Sequence, residues 1–434
     1  MKRLSHALVS IAAIGALLTL IISPTQIGFT TKQGGNICFA DLLLLPVAAV
    51  WALGVIVGRR WLLFIPAPPS SPRTSIWRLW PQLLLPFLAL TSIAVAANRA
   101  EAVKESIQLT LYLVVASFIF YDFLKTGCAS NATAQTLPAT YKRIVWLLLA
   151  LLLPLICHLS AAALQYLTPT NADLNVRGLF GNRNVLGGWL ALTIPLTLGA
   201  AISARRWWVW LLAATAIIAT LTLNLAGASY IATALALIFV ARRHSTALFI
   251  AAGVILIAWQ CLVLPRLPRE NDLAHFRTIA LYNSEGSPER RYPEWQAATA
   301  LLLTHPLRGT GGGNYQREIG RYYDVVPNAT GPSEPDIQNL YLVFAATMGL
   351  PGLLTLIAIF ANAGFAAGRA TANTSRHAGL AAGVAGSIGA FAATAMWHPL
   401  IVRGIGLPLA AILALAYTIG DITSDDTSPI ISEV

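Results

Sequence analysis

Long apolar stretches alternate with short polar connections from one end of this chain to the other. Most run for roughly 17–25 residues, the length an α-helix needs to cross a hydrocarbon core. The pattern places helices near 7–24, 38–58, 81–97, 104–124, 144–165, 184–203, 207–223, 225–241, 245–264, 339–365, 379–397 and 405–420. It therefore predicts an all-α, polytopic helical membrane protein with about 12 transmembrane helices. Residues 1–264 carry spans one to nine, 265–338 form the single long hydrophilic connection, 339–420 carry the last three spans, and 421–434 are a short acidic tail. The opening MKRLSHALVSIAAIGALLTLIIS has the basic start of a signal peptide. No small-residue cleavage site follows it and another apolar run comes soon after, so it reads as a retained first span.

Composition supports the same class. With 56% hydrophobic and 11% charged residues, the 434-residue chain has too little charge to coat a soluble domain. The net charge of +11 then reflects loop topology and contact with membrane lipids, and no nucleic-acid partner is expected. An inside N-terminus puts fifteen basic residues in inner loops: Lys2, Arg3, Arg59, Arg60, Arg73, Arg78, Lys125, Lys142, Arg143, Arg205, Arg206, Arg242, Arg243, Arg369 and Arg376. Six fall in the short outer loops, namely Lys32, Arg99, Lys104, Arg177, Arg183 and Arg403. That bias sets the orientation, with the long 265–338 loop outside and the PAPPSSPR linker and the tail inside. The four cysteines, Cys38, Cys128, Cys157 and Cys261, are scattered and read as small core hydrophobes.

Chemistry is expected where the outer connections break the apolar pattern. In VRGLFGNRNVLGG, Arg177 and Arg183 sit at the mouth of the sixth span on the face where basic residues are disfavoured. A helix N-terminus presents free N–H groups and partial positive charge, so two guanidiniums beside it form an anion site. Snorkelling to lipid phosphates is the plainer alternative for each of them. In the long loop, SPERRYPEWQAATALLLTHPLRGTGGGNYQ reads as a helix with Pro293 in its first turn. Trp295, Ala298, Leu301 and Leu302 share its apolar face, and His305-Pro306 ends it. Arg290 and Arg291 then just precede its N-terminus. The GTGGGN run lacks the Lys-Ser/Thr of a phosphate loop and does not fit GxGxxG. It is expected to be a tight turn that brings backbone close to the membrane surface. Gln338 and Asn339 stand at the lip of the tenth span.

On these residues the chain resembles the O-antigen ligase and polymerase superfamily of bacterial envelope glycosyltransferases, over roughly 175–354. Arg177-Gly178 followed by Gly181-Asn182-Arg183-Asn184 is similar to the family's R-x-x-G…N-P-N motif. Arg291-x-x-x-Trp295 followed by HPLRGTGGGNY is similar to its R-x-x-x-W…P-L-x-G-x-G-x-x-F/Y motif. Gln338-Asn339-x-Tyr-Leu followed by Met-Gly-Leu-Pro-Gly is similar to its H-N-x-x-L…x-G-x-x-G motif. The resemblance implies a transferase at the periplasmic face of the inner membrane, most like the ligase. It would move a glycan from undecaprenyl pyrophosphate to a sugar hydroxyl of the lipid A core. Arg177, Arg183, Asn184, Arg290, Asn339 and Arg403 would bind substrate, and Arg291 and Gln338 would stand at the reacting centre. The outer residues offer no DxD pair or His/carboxylate cluster, so no metal and no other cofactor is expected, and arginine takes the place of a cation.

Two positions depart from the family pattern. Gln338 occupies the place of a histidine proposed as the base, and an amide cannot take a proton near neutral pH. Three readings follow: a base-substituted form that binds substrate but reacts slowly, a reaction that the arginines and the carrier pyrophosphate drive without a base, or another outer base among Asp336, Glu294, His305 and His275, with Asp336 the first to test and His305 more readily explained as a helix-end residue. Ala226-Gly227-Ala228 stands where the family has a Ser-Arg-Gly-like stretch, so that arginine is missing. His398, in WHPLIVRG, reads as interfacial packing beside Arg403. The alternatives are a polymerase that extends the glycan on its carrier and a non-catalytic lipid-glycan binder or transporter. The near absence of mid-span charge and of a clear internal repeat counts against transport.

Overall fold

The computed structural model describes residues 2–25, 28–30, 36–58, 79–125, 136–168, 176–204, 206–224, 226–263, 288–323, 338–371, 377–401 and 404–425. Its helices are α1 (Lys2–Ile22), α2 (Phe39–Val57), α3 (Trp80–Ile93), α4 (Arg99–Leu109), α5 (Ser117–Lys125), α6 (Thr136–Leu167), α7 (Arg183–Ala204), α8 (Trp207–Leu223), α9 (Gly227–His244), α10 (Thr246–Ala258), α11 (Pro288–Thr304), α12 (Tyr315–Tyr323), α13 (Leu340–Ala370), α14 (Ala378–Thr394) and α15 (Gly406–Asp425). A π-helical turn, Thr110–Ala116, joins α4 to α5 in one run. The strands β1 (Gly28–Thr30) and β2 (Asn36–Cys38) pair antiparallel between α1 and α2. Every segment placed from the apolar pattern is helical. Six helical runs are long and apolar enough to cross a membrane: those beginning at Leu4, Phe39, Arg99, Thr140, Arg183 and Leu340. α3, α8, α10, α14 and α15 are apolar but shorter.

α7 lies at the centre. Its apolar window is 89% buried, against 28% for α2, because it is surrounded by α6, α8, α9, α14 and α15. A helix hydrophobic all round suits such a position. Close approach to α14 relies on absent side chains. A Cβ on Gly199 would lie 2.5 Å from the Gly379 carbonyl and 2.7 Å from Gly383 Cα. Gly379-x-x-x-Gly383 is the small-residue spacing that lets helices meet without a hydrophobic driving force.

The helix ends sort into two groups. At one end, Lys125 pairs with Asp421 at 2.6 Å, Tyr141 bonds His377, and Ser203 Oγ accepts from Leu380 N–H at 2.8 Å. The other end gathers the start of α4, the end of α6, the starts of α7 and α15, and the end of α14. α11 and α12 pack there against the start of α13, around Ala297, Ala298, Leu301, Ile319, Val343 and Ala346.

The 31-residue α13 is not one straight rod. Tyr341 and Phe360 would be roughly 28 Å apart along a continuous helix axis, yet their ring centroids are 6.4 Å apart. Gly349, at φ 69° and ψ −169°, turns the chain back on itself. A first arm, 340–348, climbs to this reversal, and a second arm, 350–370, descends from it. The second arm alone is roughly 31 Å long, enough for one crossing. The single straight span expected from 339 is therefore broken at Gly349, and Gln338 and Asn339 stand at the start of its first arm. Leu340 N–H donates to the Ala395 carbonyl at 2.9 Å and the Tyr341 hydroxyl to the Ala392 carbonyl at 2.9 Å. The start of the first arm is thus docked among the helices, below the level of Gly349. The reason is local: Gly349-Leu-Pro351 combines a glycine-only backbone conformation with a residue that has no N–H.

The reversal is closed by the Gly-rich turn after α11. In a continuous helix the Ala346 and Thr347 carbonyls would accept from Leu350 and from residue 351, which is proline. Here Thr310 N–H donates to Ala346 at 2.8 Å and Gly311 N–H to Thr347 at 3.0 Å. Leu350 N–H donates to the Pro306 carbonyl at 2.7 Å. A Cβ on Gly309, which has φ 61°, would lie 2.3 Å from the Thr347 carbonyl carbon. The close backbone approach expected of this turn is made to a broken helix. On its other side, fully buried Asn314 accepts from Asn98 N–H at 2.7 Å and donates to the Asn98 carbonyl at 3.1 Å. α11 itself begins at Pro288, five residues earlier than expected, so Arg290 and Arg291 lie in its first turn rather than before it. Pro288 supplies the N1 signal first assigned to Pro293.

Gly349→Ala is expected to destabilise the protein by about 2–4 kcal/mol. Its Cβ would lie 2.5 Å from the Pro306 carbonyl oxygen. Gly368→Ala, where a Cβ meets nothing within 4 Å, should be neutral or slightly stabilising. Thermal unfolding of both variants in detergent checks the contrast.

Candidate functional site

The loop before α7 is held by one face of α6. Gln165 Oε1 accepts from both Arg177 N–H and Gly178 N–H at 2.9 Å, and its Nε2 donates to the Gly178 carbonyl at 2.7 Å. Seven residues back, two helical turns away on the same face, His158 Nδ1 accepts from Leu179 N–H at 3.3 Å. The His158 ring stacks on Phe180 at 4.3 Å and tilts against Trp189 of α7 at 4.8 Å. His158, Phe180 and Trp189 are at most 2% exposed. Gly178, at φ 59°, makes the turn possible, since a Cβ there would press on His158 at 3.1 Å. The short loop thus has its backbone fixed at three consecutive residues before the helix begins.

This anchoring sets the two arginines. Asn182 caps α7, its Oδ1 accepting from Asn184 N–H at 2.8 Å and its carbonyl from Leu186 N–H at 3.3 Å. Arg183 and Asn184 are the first two residues of the helix and are half-buried, while Arg177 is exposed. Arg177 Nη1 donates to the Gly181 carbonyl of its own loop at 3.4 Å. Among the described residues no carboxylate pairs with Arg177 or Arg183. Two cations next to the positive end of a buried helix attract an anion.

The other expected residues converge on the same end through 395–400. Leu400 fills the space left by Gly188 in α7, where a Cβ would come within 2.8 Å of it. Trp397 packs on Trp295 of α11 with ring centroids 5.5 Å apart, and the Ala395 carbonyl holds Leu340 of α13. One short stretch therefore touches the three elements that carry the arginine loop, Arg290 and Arg291, and Gln338 and Asn339. Asn339 is the N-cap of α13, its Oδ1 accepting from Tyr341 N–H at 3.0 Å and Leu342 N–H at 3.2 Å. Gln338 beside it is half-buried. His398 is 5% exposed within the stretch. Arg290 and Arg291 are placed as helix positions, and their side chains lie outside the described residues, as do Arg403, Asp336 and His275 entirely.

The candidate bases separate in space. Glu294, half-buried, precedes Trp295 and so lies at the converging end of α11. His305 is exposed at the opposite end of that helix, beside the Gly-rich turn. In the 226–228 stretch, Ala226 and Ser229 close on Gly187 of α7, where a Cβ would lie 2.8 Å from Ala226 Cβ and 2.1 Å from Ser229 Oγ. Small side chains pack there where the family pattern has an arginine. Among the described residues no three His, Cys, Asp or Glu side chains gather as metal ligands. Sequence reading missed His158 and Gln165; their only signal is a seven-residue spacing of two polar groups in the otherwise apolar HLSAAALQ.

The chain matches no protein-family model and has no significant match among curated proteins.

Gln165→Leu removes three hydrogen bonds to the loop, each worth about 1 kcal/mol. Hydrogen exchange should show at least about tenfold faster exchange of the Arg177 and Gly178 amides. Amides in the middle of α7 should be unchanged.

Proposed function

We propose that this chain is a lipid-carrier-dependent glycosyltransferase of the O-antigen ligase kind, in the inner membrane of a bacterium with its site on the periplasmic face. It transfers a glycan from undecaprenyl pyrophosphate to a sugar hydroxyl of lipid A-core. In this reading the twelve apolar segments cross the membrane, the arginine-loop end faces the periplasm, and 265–338 is a periplasmic loop. The observation that carries it is the pinned Arg177–Arg183 loop, with two guanidiniums that meet no carboxylate among the described residues at the mouth of the central helix. The elements that carry the three sequence motifs, distant along the chain, all meet the 395–400 stretch, which supports a shared site.

The chemistry follows from the groups. The acceptor oxygen attacks the anomeric carbon, the bond from that carbon to the pyrophosphate oxygen breaks, and the leaving group gains negative charge. Fixed cations aimed at that charge lower the barrier most where water is excluded. Arg177 and Arg183 hold the diphosphate from the α7 side and Arg291 from the first turn of α11. Asn339 keeps the start of α13 in place, and Gln338 orients the acceptor hydroxyl by hydrogen bonding without taking its proton. Glu294 takes that proton, as the candidate carboxylate at the converging end of α11.

Arg177→Ala, Arg183→Ala and Arg291→Ala should each lower glycan transfer on the order of 10²-fold with membrane insertion intact. Lipopolysaccharide profiles of cells expressing each variant as their sole ligase provide the measurement. Normal profiles in all three would remove the mechanism, and loss of the carrier-linked polymer itself would favour the polymerase reading. Glu294→Gln should abolish transfer, and Gln338→His should restore part of it by placing an imidazole base beside the acceptor.

A further inference from the structure

Arginines act on a transition state only if they are already in place when charge develops. Lone arginines on a surface loop would swing freely. Here the loop backbone is fixed from α6, and the last contact before the helix begins is made by a fully buried histidine. The His158 bond is directional: Nδ1 accepts the Leu179 N–H, which places the ring proton on Nε2. Its ring face also carries Phe180, and its edge meets Trp189, so one side chain ties α6, the loop and α7 together. Gly178 leaves room for this, being the residue whose Cβ would strike Nδ1.

We infer that His158 is a positioning residue for the arginine site, acting as a neutral hydrogen-bond acceptor that sets the Arg177–Arg183 loop against a diphosphate. The inference rests on the proposed transferase reading and names a residue outside the three sequence motifs. It touches no substrate; its effect passes through Leu179 and Phe180 to the arginines on either side of them. What matters is an acceptor atom at the Nδ1 position, more than an aromatic ring. Asparagine carries its oxygen at that position, whereas glutamine extends its amide toward the Nε2 position and phenylalanine keeps only the stack.

The test compares His158→Asn, His158→Gln and His158→Phe by two measurements in the full-length membrane protein. The first is turnover of an undecaprenyl-pyrophosphate glycan donor on lipid A-core. The second is hydrogen exchange of the 176–182 amides, which needs no substrate. The expected order is wild type, then Asn within about threefold, then Gln and Phe at least about tenfold lower in turnover and in Leu179 protection. Phe equal to or better than Asn in both would show that packing on Phe180 is the whole role and would overturn the inference. Gln equal to Asn would overturn it as well. Normal turnover in the Arg177 and Arg183 variants, with the exchange order intact, would instead overturn the transferase reading and leave His158 seated as described.

Discussion

A backbone N–H or carbonyl inside an apolar bundle has no water to turn to, and leaving one unmade costs several kcal/mol. The architecture of the site end depends on how this constraint is met at Gly349. Reversing α13 there frees the Ala346 and Thr347 carbonyls and the Leu350 N–H. All three are satisfied by the turn that follows α11. The broken helix and the Gly-rich turn therefore require each other. That mutual requirement fixes α11, and with it Arg291 and Glu294, against the helix that begins at Asn339. The same turn reaches the start of α4 through the Asn314 side chain, so the helices from three distant parts of the chain are joined by hydrogen bonds to backbone groups rather than by apolar packing alone.

A second anchoring operates independently on the α7 side. Gln165 and His158 hold loop backbone, and Asn182 caps the helix, so the positions of Arg177 and Arg183 follow from polar contacts made below them. The two anchored bodies are linked along α14, which packs on both α7 and α13, and at the site end through 395–400, by a leucine over a glycine, a tryptophan pair and one backbone hydrogen bond. On the proposed reading, two separately anchored bodies would hold a charged diphosphate firmly and admit a glycan between them.

Helix placement was legible in the sequence because periodicity and length report directly on the apolar environment, and each apolar segment is helical. The reversal was not, although its residues were in plain view. Met-Gly-Leu-Pro-Gly is apolar throughout, so hydropathy counts it as span interior, and only the pairing of a positive-φ glycine with a proline marks the break. The GTGGGN run was legible as a tight turn but its partner was not: glycines announce a close approach without naming what is approached. Arg177, Arg183 and Asn339 were singled out because polar groups at helix mouths stand out. His158 and Gln165 were passed over because single polar residues within an apolar helix look like tolerated exceptions until the loop they hold is seen.

The reversal also bears on why an amide can stand at Gln338. This residue precedes the N-terminus of a helix arm docked among other helices, where the partial positive charge of the arm is poorly screened. A neutral amide there adds no charge for that dipole to oppose and keeps its hydrogen-bonding capacity for a hydroxyl. In the proposed reaction the proton leaves by Glu294 of α11, on the turn that packs Trp295 against Trp397. On that proposal a carboxylate and an amide, both in the body joined at Gly349, would divide two tasks between them, one removing the proton and the other aiming the hydroxyl. Acceptor activation would then depend on α11 and the start of α13 being held in register, which the hydrogen bonds of the turn at Gly349 provide.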